Sequence, residues 1–157
     1  MAYQKLQGQR AIDIYPEDGV PVPNPANLKA SGTNDAVVAG ALFNTTGEFV
    51  TKGVKAGDVV QNLTTGRSAL VTAVVDNTTL SLSVDIFLAS PNNYKVFGAS
   101  LNEGPVLYIG VGGDLGVVTV GGDSVVFVGV PSGSFFPVMV KEITSSGTTA
   151  TNILALY

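Results

Sequence analysis

The residues best suited by type and spacing to do chemistry are two aspartates set behind glycine pairs. Asp114 follows Gly112-Gly113 and Asp123 follows Gly121-Gly122. Calcium needs several oxygen ligands converging on one loop. Each of these aspartates stands alone, so a turn aspartate that caps its own backbone is the favoured reading. The run Gly110-Val111-Gly112-Gly113-Asp114-Leu115-Gly116 has the look of a dinucleotide loop. However, Leu115 stands where the third glycine belongs, and a strand pattern follows instead of a helix. Glu17, Asp18, Asp35 and Glu48 are the acids that could pair for glycoside hydrolysis. They lack aromatic sugar-stacking neighbours, and the chain contains no tryptophan. Asn44-Thr45-Thr46, Asn62-Leu63-Thr64 and Asn77-Thr78-Thr79 match the N-glycosylation pattern and read as threonine-rich turns.

Composition narrows the classes further. The 157 residues include no cysteine and no histidine, which removes thiolate metal sites, disulfides and the commonest general base. The formal net charge is −4, and Lys52 and Lys55 are too few to form the basic stripe that phosphate backbones require. No catalytic, cofactor-binding or metal-ligating residue is assigned, and neither an enzyme nor a nucleic-acid partner is expected. The sequence Met1-Ala2-Tyr3-Gln4-Lys5-Leu6-Gln7 lacks the apolar core of a signal peptide, and no apolar run is long enough to cross a bilayer. A protein made and kept soluble, with no membrane partner, is expected. At 45% hydrophobic and 13% charged residues, the chain suits a molecule much of whose surface is covered by partners.

The elements available are strands, and the expected fold class is all-β: an extended N-terminal arm followed by two small antiparallel β-barrel or sandwich modules. Residues 1–27 form the arm. Ala11-Ile12-Asp13-Ile14-Tyr15 alternates like a strand, and Pro16, Pro21, Pro23 and Pro25 then interrupt any ladder. Residues 28–103 form a barrel-like module. Asp58 to Leu63 and Arg67 to Val75 are joined through Thr64-Thr65-Gly66, Thr79 to Ser83 places Leu80 and Leu82 on one buried face, and Tyr94 to Phe97 closes the set. Residues 104–157 form a sandwich with five expected strands: Val106 to Gly110, Gly116 to Val120, Val125 to Val130, Phe136 to Thr144 and Thr151 to Tyr157. Gly121-Gly122-Asp123 is read as a hairpin turn. The apolar run Asn152-Ile153-Leu154-Ala155-Leu156-Tyr157 is expected to be tied into a sheet or against a neighbour.

In the middle module, Phe49, Gly53-Val54, Gly57-Asp58-Val59, Thr64-Thr65-Gly66 and Val71-Thr72-Ala73-Val74 resemble, in order and spacing, a pattern of tailed-phage virion proteins. In the last segment, Leu107-Tyr108-Ile109-Gly110-Val111-Gly112-Gly113-Asp114, Gly121 to Phe127, Val130 to Val138 and Gly147 to Thr151 resemble the head-spike base proteins of phages and gene-transfer agents. The phrase Tyr15-Pro16-Glu17-Asp18-Gly19-Val20-Pro21-Val22-Pro23 is similar to the one preceding that domain, with Glu17 and Gly19 departing from the family's small residue and threonine. Residues 28–103 then look like an insertion. The resemblance implies a non-enzymatic virion structural protein that decorates or cements a capsid or forms a head-spike base, assembled in the cytoplasm of a bacterial host. Its implied partners are the major capsid protein and copies of itself, with a spike or fibre protein beyond them. The expected capsid contacts are Ile12, Ile14, Tyr15, Val20 and Val22 of the arm. The expected oligomer contacts are Phe135, Phe136, Leu154, Leu156 and Tyr157. A tail or baseplate connector and a glycan- or receptor-binding fibre module are the alternatives.

Overall fold

A computed structural model describes residues 8–99 and 104–157. Every helix or strand among them is a strand, so the chain is all-β. In chain order these are β1 (Ala11–Ile14), β2 (Pro23–Thr33), β3 (Ala36–Val38), β4 (Ala41–Phe43), β5 (Val59–Asn62), β6 (Arg67–Val74), β7 (Thr79–Leu82), β8 (Asn93–Ala99), β9 (Val106–Val111), β10 (Gly113–Thr119), β11 (Ser124–Val130), β12 (Ser134–Phe136), β13 (Val140–Ile143) and β14 (Thr151–Leu156). They fall into two compact units. One joins Met1–Pro25 to Ser100–Tyr157, and the other is Ala26–Ala99.

The second unit is a single sheet in the order β2-β8-β5-β6-β7-β4-β3. Its two end strands are separated in sequence only by Asn34 and Asp35. A chain advances at most about 3.6 Å per residue, so Thr33 and Ala36 lie within roughly 11 Å of each other. The sheet must therefore curl until its ends approach. Inside the curl lie Leu42, Phe49, Val60, Val71, Leu80, Ile86, Phe87, Tyr94 and Val96, among others. Each such large apolar side chain contributes about 1.5–3 kcal/mol by leaving water. The Tyr94 ring meets Phe49 and Phe87 at centroid distances of 6.1 and 6.3 Å. Leu80 and Leu82 are both buried, as their alternation predicts.

Asparagines hold the turns of this unit. The Asn62 side-chain oxygen accepts from the Thr64 and Thr65 amides at 3.0 and 3.1 Å, and its Nδ2 donates to the Ile86 carbonyl at 2.7 Å. Gly66, at φ 68°, then reverses the chain into β6.

The other unit has two sheets, β1-β14-β9-β12 and β11-β10-β13. Alternation along the strands turns Ile14, Leu107, Ile109, Phe136, Ile153 and Ala155 of the first and Leu115, Val117, Val140 and Ile143 of the second into one shared core. Phe127 and Phe136 meet across it edge to face, with centroids 4.7 Å apart. The apolar run 152–157 supplies β14, an inner strand paired on both sides, Ile153 to Ile14 and Ile109.

The structure corrects two readings of this unit. Residues 11–22 are not a separate arm. β1 pairs in register with β14, Val22 donates its amide to the Lys141 carbonyl at 2.8 Å, and Pro21 bridges to Glu142. The strand expected over Phe136 to Thr144 is broken after Phe136, because Pro137 has no amide to continue a ladder. β12 ends in one sheet and β13 begins in the other.

Candidate functional site

Most of the residues singled out for chemistry hold other segments of their own unit by hydrogen bonds. Asp114 accepts from the Gly129 amide through Oδ1 at 2.9 Å, and its carbonyl takes the Thr149 and Ala150 amides. Asp123 is tied to Thr119, whose hydroxyl lies 3.3 Å from Oδ2 and accepts the Asp123 amide at 3.1 Å. These aspartates sit at opposite ends of the β10–β11 hairpin, so they do not converge. The glycine-rich run 110–116 crosses from β9 into β10, strand to strand.

The four acids considered for paired catalysis divide between the units, with Glu17 and Asp18 in one and Asp35 and Glu48 in the other. Asp18 accepts from the amide and hydroxyl of Ser146, and these bonds hold its carboxyl below the usual carboxylate range. Thr45 does the same for Asp35 through its hydroxyl and amide, each at 2.7 Å. Glu48 lies 3.6 Å from Lys52. Among the described residues, no group of three or more acidic, histidine or cysteine side chains could hold a metal ion. No helix among them is long and apolar enough to cross a membrane. Asn44 and Asn62 are buried, and the Asn44 amide donates to the Tyr94 hydroxyl at 2.8 Å, so neither offers its nitrogen at the surface.

What remains is surface shape and chemistry. Of the residues expected to contact a capsid, Ile14, Val20 and Val22 are buried and Ile12 packs against the core of its own unit. Tyr15 is half-buried, and that burial, with the charge of Asp13, raises its phenol pKa. Most of the apolar surface of the expected arm is therefore turned to its own unit, with Ile12 and Tyr15 half-buried.

The residues expected at an oligomer interface separate by strand parity. Phe136 is buried, and Tyr157 packs toward the core and donates its hydroxyl to the Pro23 carbonyl at 2.8 Å. Phe135, Leu154 and Leu156 point the other way. On that outward face Leu154 and Phe135 both stand opposite Tyr108, Leu156 stands opposite Val106, and Asp13 and Ala11 extend the two rows on β1. The Phe135 ring is 62% exposed and lies against Tyr108, with centroids 5.6 Å apart. This apolar sheet face is the candidate functional surface.

Sequence reasoning found three of its members and missed Tyr108 and Val106. In Val106-Leu107-Tyr108-Ile109 both alternate sets are apolar, so periodicity does not say which set faces the core. No protein-family model matches the chain, and no curated protein or solved structure is significantly similar to it.

Proposed function

We propose that this chain is a non-enzymatic structural protein of a tailed-phage virion, decorating or cementing the capsid or forming the base of a head spike. It works by contact with the major capsid protein and with copies of itself. The observation that carries the reading is the outward face of the β1-β14-β9-β12 sheet. There the exposed Phe135 adjoins the half-buried Tyr108, Leu154, Leu156 and Val106 in one apolar array, and apolar patches left at a surface mark interaction sites. The sequence resemblance to head-spike base proteins supplies the virion context.

In this reading the residues of β1 and the following segment act by building the domain, and the contacts to neighbours are made by the sheet face. The low charge content and the net charge of −4 accord with a protein partner rather than nucleic acid. The test is binding of the purified protein to capsids assembled without it. Wild type is expected to bind, and Phe135→Glu to lose at least tenfold in affinity while keeping its far-ultraviolet circular dichroism. A wild-type protein that stays monomeric and ignores such capsids would sink the reading.

A further inference from the structure

We infer that two copies of this chain join through β11, edge to edge and antiparallel, about a two-fold axis at Val126. The inference rests on the self-association proposed above and names a second surface for it.

Among the described residues, β11 is the open edge of its sheet. The opposite edge, β13, is covered by backbone bonds from Glu17 to Ile143 and from Val22 to Lys141. The neighbouring sheet ends on β1, which is four residues long and carries Asp13, and on β12, which is three residues long and runs into Pro137. Shortness, charge and proline are the means by which edges avoid pairing. β11 has none of them: its seven residues, Ser124-Val125-Val126-Phe127-Val128-Gly129-Val130, include no charge and no proline. Val125, Val126 and Val128 are 41%, 48% and 81% exposed.

The backbone phase fixes which groups are offered. The Gly116 carbonyl accepts from Thr144, so Gly116 faces β13, and its neighbours Leu115 and Val117 face β11. Their partners Phe127 and Val125 therefore bond back to β10, and Ser124 and Val126 present their amides and carbonyls outward. The open stretch ends at a bulge. From Gly113↔Val130 to Leu115↔Phe127, β11 uses one more residue than β10, taken up at Gly129 with φ 68°.

The occupant is a second copy for two reasons. A unit with one open, uncharged edge can match it to a copy of itself only isologously, the same strand meeting the same strand. Antiparallel pairing centred on Val126 sets Ser124 opposite the partner's Val128, and Val125 opposite the partner's Phe127, so the core face of the sheet continues across the joint. It also sets Asp123 opposite the partner's Gly129. The two Asp123 carboxylates then stand roughly 20 Å apart along the strands at about 3.4 Å per residue, well beyond the Debye length of about 8 Å. The like charges nearest the joint are Asp123 and the partner's Asp114, whose Oδ1 accepts the amide of the Gly129 that Asp123 faces.

The experiment uses Val126→Lys and Val126→Glu, which place like charges directly opposite each other across the axis. Wild type is expected to be a dimer by sedimentation velocity at tens of micromolar. Each variant alone should raise the dimer dissociation constant at least tenfold, and an equimolar mixture of the two should restore a one-to-one heterodimer in native mass spectrometry. In wild type, the Ser124 and Val126 amides should gain protection from hydrogen exchange as concentration rises. The Val125 and Phe127 amides should be protected throughout, a readout that needs no variant. A wild type that stays monomeric, with exchange independent of concentration, overturns both this inference and the self-association it rests on. An oligomer that survives both substitutions, with Ser124 and Val126 still exchanging fast, overturns the β11 joint alone.

Discussion

Single polar residues in this protein act mostly as locks on the backbone, and their energetic weight depends on burial. Lys29 Nζ lies 2.6 Å from Asp58 Oδ2, with the Asp58 side chain only 2% exposed, and the same oxygen accepts the Lys55 amide at 2.8 Å. Removing the lysine strands a buried carboxylate. Lys29→Met is expected to lower unfolding free energy by about 3–5 kcal/mol in urea titrations. Lys52→Met, which removes the solvent-screened contact to Glu48 and one hydrogen bond to the Gly47 carbonyl, should cost less, about 1–2 kcal/mol. Equal effects of the two would contradict this assignment. Asp18, Asp35 and Asp76 share a different feature: hydrogen bonds from Ser146, Thr45 and Thr78 lower each carboxyl pKa. A folded-state pKa below the unfolded value gives stability that is present above the unfolded value and lost as pH falls through the folded one. Replacing all three with asparagine should therefore flatten the acid limb of the stability curve, at and below about pH 4. An unaltered limb would mean these bonds do not favour the charged form. The sequence disclosed the turn role of Asp123, which is tied to Thr119 in its own hairpin, but not that of Asp114, which lies in β10 and accepts from Gly129 on the facing strand. It did not disclose the burial of Asp58, which depends on Lys29, a residue brought to it by the fold.

At the scale of elements, hairpins were legible and long-range partners were not. Thr64-Thr65-Gly66 and Gly121-Gly122-Asp123 carry their turn chemistry in adjacent residues, and both connect paired strands, β5 to β6 and β10 to β11. β1 reads as a short alternating strand, yet its partner is β14, with Ile12 opposite Ala155 and Ile14 opposite Ile153. No local pattern near Ile14 encodes a partner so far along the chain. The prolines at 16, 21, 23 and 25 suggest an arm because proline signals interrupted pairing, but Val20 and Val22 between them are buried. The chain alternates between single backbone bonds and inserted side chains instead of forming a ladder. The consequence is opposite to that of a detachable arm. Ile14→Ala should cost about 2–5 kcal/mol, as deletion of a buried aliphatic side chain does. Deletion of residues 1–22 should abolish the cooperative unfolding of the unit containing β9 to β14, followed by tyrosine and backbone circular dichroism. A truncated protein that keeps full stability would restore the free arm. β2, β3 and β4 were missed because their apolar residues are sparse and mixed with proline, asparagine and glycine; the curl of the sheet supplies their burial.

For the whole molecule, the balance of charge and apolar surface governs how copies meet. The net charge is −4 with a sequence pI near 4.5, and only 13% of residues are charged, so long-range repulsion between copies is modest and easily removed. The candidate contacts, the sheet face around Phe135 and the β11 edge, are mainly apolar or backbone in character. Salt should therefore strengthen association: raising ionic strength from about 0.15 M to 1 M shortens the Debye length from about 8 to 3 Å and removes repulsion without weakening the contact. Lowering pH from 7.5 to 5 should act in the same direction, because net charge falls as the isoelectric point is approached. The fold should withstand that change, since Asp18, Asp35 and Asp76 remain ionised with their lowered pKa values. At fixed protein concentration, the weight-average sedimentation coefficient should thus rise both with added sodium chloride at pH 7.5 and with acidification at constant salt. Phe135→Glu, which puts a like charge on the sheet face of each copy, should weaken association at low salt and steepen its recovery as salt is added. A sedimentation coefficient that falls with salt would assign the association to ion pairs at the rim, and the apolar surfaces would lose their place as the sites where copies join.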